Sequence, residues 1–287
     1  MIQCMETWRL LNTGYADGPT NMAVDEAILT CHAQGLTPPT LRFYGWQPSC
    51  LSIGVFQSVQ REVDISECCS RGVGLVRRPT GGRAIFHASE VTYSLVANSN
   101  HPFVKGSISE SYRRISGALA AGLHLLGADV RIAPRVSDTR RAYRNEKCAD
   151  GGWIKTPACF DTPSDYELIV DGRKLVGSAQ VRKRGAVLQH GSIMLDVDVA
   201  SLVAILRLKT DVSAENQARM LSTRMTCLKE VLGREVAYQE VTESLMRGFQ
   251  ENASVVLVPS DLTEEERVLA RQLREEKYLN EMWNFRR

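Results

Sequence analysis

The stretch YELIVDGRKLVGSAQVRKRGAVLQHGSIML, residues 166–195, decides how this chain folds. Asp171-Gly172 separates two runs rich in branched residues, and such a pair at two turn positions is the strongest short-range signal for a β-hairpin. Arg184-Gly185 marks a second turn before AVLQHGSIML, so strands follow one another closely here. VGLVRR (73–78), AIFH (84–87) and VTYSLVA (91–97) read as further strands, with the turn-forming PTGG between the first two. TLRFYGW (40–46) and CLSIGVF (50–56), separated by Gln47, Pro48 and Ser49, read as another hairpin. Between the strands lie helices. Residues 18–34 place Val24, Ala27, Ile28 and Cys31 on one face behind Asn21 as N-cap, and Gly35 closes the turn. Ser107 and Glu110 form a capping box ahead of Ile108, Tyr112, Ile115, Leu119 and Leu126, and Gly127 follows. The last third reads as mostly helical, ending in 263–279, where Thr263 and Glu266 cap, acids open and bases close a solvated helix. The pattern predicts an α+β fold of mixed, largely antiparallel sheets flanked by helices, with residues 1–255 as one domain and 256–287 as a C-terminal helical extension.

Composition agrees with a folded domain. Of 287 residues 44% are hydrophobic and 24% charged, with 21 Gly and 10 Pro, which argues against disorder, collagen or coiled coil. Lys and Arg number 35 against 33 Asp and Glu, a net charge of +2, so nucleic acid is not the expected partner. No apolar run approaches the roughly 20 residues of a bilayer span, and MIQCMETWRLL lacks a signal-peptide core, so no membrane role and a cytoplasmic location are expected. The cysteines at 4, 31, 50, 68, 69, 148, 159 and 227 follow no C-x-x-C or zinc spacing, so neither a metal site nor a disulfide framework is expected.

Two segments have the residues for chemistry. In RRPTGGRAIFH (77–87), arginines flank a Gly pair between strands, where backbone N–H groups can approach an anion or a thin acyl chain; a mere tight turn is the alternative. No G-K-[ST] follows and no helix opens on these glycines, so neither a P-loop nor a dinucleotide fingerprint is present. In ACFDTPSDYELIVDGRKLVGSAQ (158–180), Cys159 ends an irregular, cation-rich loop (134–158) with Arg135, Arg140, Arg141, Arg144 and Lys147 against Asp138 and Glu146. A thiol there can be reachable and electrostatically assisted. Lys174 follows just past the Asp171-Gly172 turn, so the pair suggests nucleophile plus electrophile, against the alternative of a solvated lysine and an incidental cysteine. His87 and His190 are the histidines nearest these motifs, and a packed or hydrogen-bonding role is expected for His87.

RRPTGGRAIFH, ACFDTPSDYEL, GRKLVGSAQ and QHGSI, in that order, with the ending KYLNEMWN (277–284), resemble the lipoate-protein ligase and biotin-ligase superfamily, and within it the bacterial octanoyltransferases of the LipM type. The resemblance runs from about Trp8 to the C-terminal motif. Lipoate ligases typically carry a third glycine where this chain has Arg83, and generally lack the cysteine at 159. The resemblance implies transfer of an octanoyl group from acyl carrier protein to a lysine of a lipoyl domain, such as the glycine cleavage H protein, without ATP or other cofactor. It implies Cys159 as nucleophile and Lys174 as the cation on the carbonyl oxygen. Arg78, Gly81, Gly82, Arg83, His87, Gly177, Ser178 and Ala179 would bind substrate. The competing readings are an ATP-dependent lipoate-protein ligase and a non-catalytic protein that binds acyl carrier protein.

Overall fold

The structure, a computed structural model, describes residues 5–134, 166–207 and 212–286. Its strands in chain order are β1 (Glu6–Ala16), β2 (Thr40–Trp46), β3 (Cys50–Ile53), β4 (Gly74–Arg77), β5 (Ile85–His87), β6 (Glu90–Asn98), β7 (Arg131–Ile132), β8 (Leu168–Val170), β9 (Arg173–Lys183), β10 (Ala186–Met194) and β11 (Val255–Pro259). The larger sheet runs β11-β1-β2-β6-β10-β9-β8-β7, and the smaller runs β4-β3-β5. β1 is parallel to β11 and β2, and every other neighbouring pair in the larger sheet is antiparallel. This is the mixed, largely antiparallel α+β architecture expected. Asp171 and Gly172 have φ of 49° and 76°, and Arg184 and Gly185 have 53° and 78°, so both turns carry the paired positive φ of a tight hairpin.

The hairpin expected across residues 40–56 does not form. β2 is occupied on one edge by β1 and on the other by β6, so β3 crosses to the smaller sheet and pairs with β4 and β5. Partner choice here is a long-range matter that a turn signal cannot decide.

Helix α1 (Gly18–Ala33) is capped by the Asp17 carboxylate, which accepts the Thr20 N–H at 2.8 Å. Asn21, expected as the cap, is instead buried inside the first turns and donates to the carbonyls of Ala16 and Gly45. α1 is also not an amphipathic surface helix. Twelve of its sixteen residues are buried, because the sheet covers one side and the C-terminal segment covers the other. Helix α2 (Ile108–Leu125) shows the expected capping box of Ser107 and Glu110. It crosses helix α3 (Tyr238–Ala253) at two glycines: a Cβ on Gly248 would stand 2.4 Å from the Gly122 amide nitrogen, so only glycine allows this approach. Together α2 and α3 cover one face of the larger sheet over a core of Trp8, Phe43, Tyr93, Leu119, Leu245 and Phe249. Each such side chain contributes about 1.5–3 kcal/mol when fully removed from water.

The C-terminal third is mostly helical, as its sequence pattern suggests, with one strand added. Residues 255–259 add β11 beside β1, so position 256 falls inside a strand of the larger sheet. Helix α4 (Glu264–Leu273), with the expected Thr263–Glu266 capping box, packs on α1. Its charge run is not wholly solvated, since Glu266 is fully buried and receives the Arg9 guanidinium at 2.5 and 2.8 Å. No helix among the described residues is long and apolar enough to cross a membrane.

Candidate active site

The glycine segment 78–84 links β4 to β5, both of which pair with β3, so the smaller sheet presents it as a loop. Gly82 has φ of +91°, and a Cβ added at Gly54 would lie 2.0 Å from the Gly82 carbonyl oxygen. Two glycines therefore permit this close backbone approach. Arg78 is 2% exposed and braces the loop from inside. Its guanidinium donates to the carbonyls of Gly81 (2.9 Å), Arg83 (2.6 Å) and Ser52 (3.1 Å), and to Ser52 Oγ (3.1 Å).

Two buried relays hold the loop against the larger sheet. Thr80 Oγ1 lies 2.7 Å from His190 Nε2, and His190 Nδ1 lies 3.0 Å from Asp25 Oδ2. Asp25 also accepts from Arg42 Nη1 (2.7 Å), the Tyr44 hydroxyl (2.9 Å) and Ser94 Oγ (2.8 Å). Burial would raise its carboxyl, but Arg42 and His190 outweigh that and hold it below the usual range. An ionised Asp25 only accepts, which puts the His190 proton on Nδ1 and makes Nε2 the acceptor for the Thr80 hydroxyl. Burial keeps the His190 imidazole below its ordinary range in spite of Asp25. In the second relay His87 stacks on Trp46, with centroids 3.8 Å apart, and faces Glu90 Oε1 and Ser52 Oγ at 2.7 Å each. This is the packed, hydrogen-bonding role expected for His87.

Arg78, His87, His190 and Ala179 line one narrow cavity, whose remaining wall includes the apolar Met22 and Ile85. The structure thus gathers Arg78, Gly81, Gly82, Arg83, His87 and Ala179. Ala179 faces the loop, 3.9 Å from where a Gly82 Cβ would be. Alternation along β9 turns Ser178 to the opposite face, where its hydroxyl lies 2.8 Å from that of Tyr93 and its carbonyl accepts from Tyr112. Gly177 is paired with Ser192 across β10, and Gly191 next to it has no room for a Cβ, which would meet Ser178 Oγ at 2.3 Å.

Lys174 is not a solvated turn residue. It is 3% exposed, its ammonium rests on the buried Glu167 carboxylate, and its backbone is tied to Arg224 and Thr226. It precedes Ala179 by five residues of β9, about 16 Å at ~3.3 Å per residue. The sequence motifs do not mark Glu167, and a carboxylate opening the apolar run ELIV is the one local signal for it. Asp25 and Arg42 carry no local signal, and Thr80 is marked only by its place in the glycine motif. Cys159 and the cations of the 134–158 loop lie outside the described residues. Burial pushes the Cys31, Cys50 and Cys227 thiols up, and Cys68 up to about 11, so these four are poor thiolates.

A family model, the lipoyl protein ligase A/B catalytic domain, matches residues 17–250. The chain belongs to this family. Bacterial members similar to it include proteins named Octanoyltransferase LipM. The one from Kyrpidia tusciae is 47% identical over 99% of this chain and 100% of its own. The one from Moorella thermoacetica is 48% identical over 98% and 99%. Among solved structures, the bipartite lipoate protein ligase of Thermoplasma acidophilum aligns with a TM-score of 0.79 at 27% identity, over 98% of this chain and 96% of that one. A lipoate-protein ligase A bound with ATP aligns at 0.75 and 26% identity, over 98% of both chains.

Proposed function

We propose that this chain is a protein N-octanoyltransferase of lipoate biosynthesis, taking an octanoyl group from acyl carrier protein and placing it on a lysine of a lipoyl domain, such as the glycine cleavage H protein. The observation that carries this reading is the end-to-end likeness, at 47–48% identity, to proteins named Octanoyltransferase LipM. Cys159 gives up its proton and its thiolate attacks the donor thioester carbonyl; the pantetheine sulfur leaves as thiolate and takes up that proton, giving an acyl-enzyme thioester. The acceptor amine, after losing a proton, attacks that thioester; the new amide retains one N–H, and Cys159 recovers its proton. Thioester exchange is nearly balanced and amide formation runs downhill, so ATP is not required. Lys174 stabilises the oxyanion in both steps. The octanoyl tail lies along the glycine loop toward the cavity beside Ala179, and burying it gives on the order of 5 kcal/mol gross at about 0.8 kcal/mol per CH2.

Mixing the enzyme with octanoyl-acyl carrier protein and a lipoyl domain, without nucleotide, is expected to add one octanoyl mass to the acceptor. Transfer that appears only with free lipoate or octanoate and ATP would establish a ligase instead. Binding of the carrier protein with no transfer under either condition would establish a non-catalytic binder.

A further inference from the structure

The C-terminal motif KYLNEMWN has no part in the chemistry above, yet it reaches the glycine loop through one buried side chain. Arg77 is fully buried. From one side its Nη1 donates to the carbonyls of Gly54 (2.9 Å), Val55 (3.3 Å) and Gln57 (2.8 Å). From the other, Nη2 donates to the Asn284 carbonyl at 2.9 Å and Nε to that of Trp283 at 3.1 Å. Its backbone is held as well: its N–H donates to Asn284 Oδ1 (2.8 Å), and its carbonyl accepts from Trp283 Nε1 (2.8 Å). Asn284 in turn donates to the Tyr278 carbonyl at 2.8 Å, and the Tyr278 hydroxyl is anchored on Glu26 of α1 at 2.5 Å. The carbonyls that Arg77 grips belong to the segment pressed on the glycine loop: Gly54 is the residue with no room for a Cβ against Gly82, and the Val55 N–H donates to the Thr80 carbonyl at 2.9 Å.

We propose that the C-terminal turn is a working part of the acyl site, with Arg77 and Asn284 as positioning residues that set where segment 54–57, and through it Gly82, stands. The proposal rests on the reading of the glycine loop as the acyl-binding wall. A planar guanidinium suits the task because its donors leave in fixed, divergent directions, so one group can hold two chain segments in register. Small displacements of such a wall are costly to transfer while leaving the fold intact.

Because Arg77→Ala removes the whole junction and risks unfolding, the test uses Asn284→Ala in the full chain. Asn284→Asp, which keeps an acceptor for the Arg77 N–H but loses the donor to the Tyr278 carbonyl, is the partial rescue, and the exposed Met282→Ala on the same turn is the control. Two quantities are read: kcat/KM for self-acylation by octanoyl-acyl carrier protein, and amide hydrogen exchange along the chain. Asn284→Ala is expected to lower kcat/KM by about tenfold to a hundredfold and to speed exchange at Val55 and Gln57, while α2 and α3 keep wild-type protection. Asn284→Asp recovers part of the rate, and Met282→Ala matches wild type. Unchanged rate and exchange at 54–57 overturn the proposal, as does faster exchange spread evenly over α2 and α3, which marks a general loss of stability. A wild-type enzyme that does not acylate would remove the proposed function, and the exchange at 54–57 would still decide the coupling.

Discussion

Lys174→Ala is expected to lower octanoyl transfer by about a hundred- to a thousandfold, the roughly 3–4 kcal/mol lost with one oxyanion donor. Stability should fall too, since the change leaves the Glu167 carboxylate, itself 1% exposed, buried without its ammonium. Breaking a buried ion pair from one side costs about 3–5 kcal/mol, most of it the desolvation of the charge left behind. The two effects separate in a double variant. Lys174→Ala with Glu167→Gln removes the stranded charge, so the denaturation midpoint recovers most of its loss while transfer stays as low as in the single variant. Transfer that recovers with stability would make Lys174 a structural residue only. Single-turnover acylation and urea denaturation measure the two quantities independently.

Asp25→Ala is expected to be among the most destabilising single changes in the chain, at about 3–5 kcal/mol. It strands the Arg42 guanidinium, which is 1% exposed, and removes the acceptor of Tyr44, Ser94 and His190 together. The same network sets the response to acid. Because the folded Asp25 pKa lies below its ordinary 3.8, its contribution is fully present above about pH 4 and is lost as pH falls through the folded value. The folded His190 and His32 pKa values lie below the ordinary 6.5, so the unfolded chain takes up those protons first as pH falls. Wild-type urea midpoints should therefore decline from pH 7 to pH 5, and decline again below pH 4. Asp25→Ala should show a smaller second decline, because Asp25's own share is gone, while Asp17, Glu26 and the other depressed carboxylates supply the rest. A second decline as large as that of wild type would mean that Asp25 is not held ionised by its partners.

What the sequence revealed was mainly local. The Asp171-Gly172 and Arg184-Gly185 turns and the two capping boxes form as expected because each is decided by residues within a few positions of one another. The false hairpin at 40–56 and the unanticipated β11 share one cause. Which strand lies beside which depends on edges occupied by segments far away in the chain, as β11 shows by pairing with β1 across some 250 residues. The site divides along the same line. The glycine loop and Lys174 stood out because unusual residues cluster in short motifs. Asp25, Thr80, His190 and Arg42 come from four separate elements and meet only on folding, so no window of sequence contains the relay. Glu266 misled for the opposite reason: within a run of acids and bases nothing distinguishes the one carboxylate that folding buries against Arg9.

Passage of the acyl group through the thiol of Cys159 can be read from intact-mass analysis. The enzyme, incubated with octanoyl-acyl carrier protein alone, is expected to gain one octanoyl mass that hydroxylamine removes, and peptide mapping should place it on Cys159. Cys159→Ala should gain none and transfer none to a lipoyl domain. A Cys159→Ala enzyme that is still acylated and still transfers would place the nucleophile elsewhere.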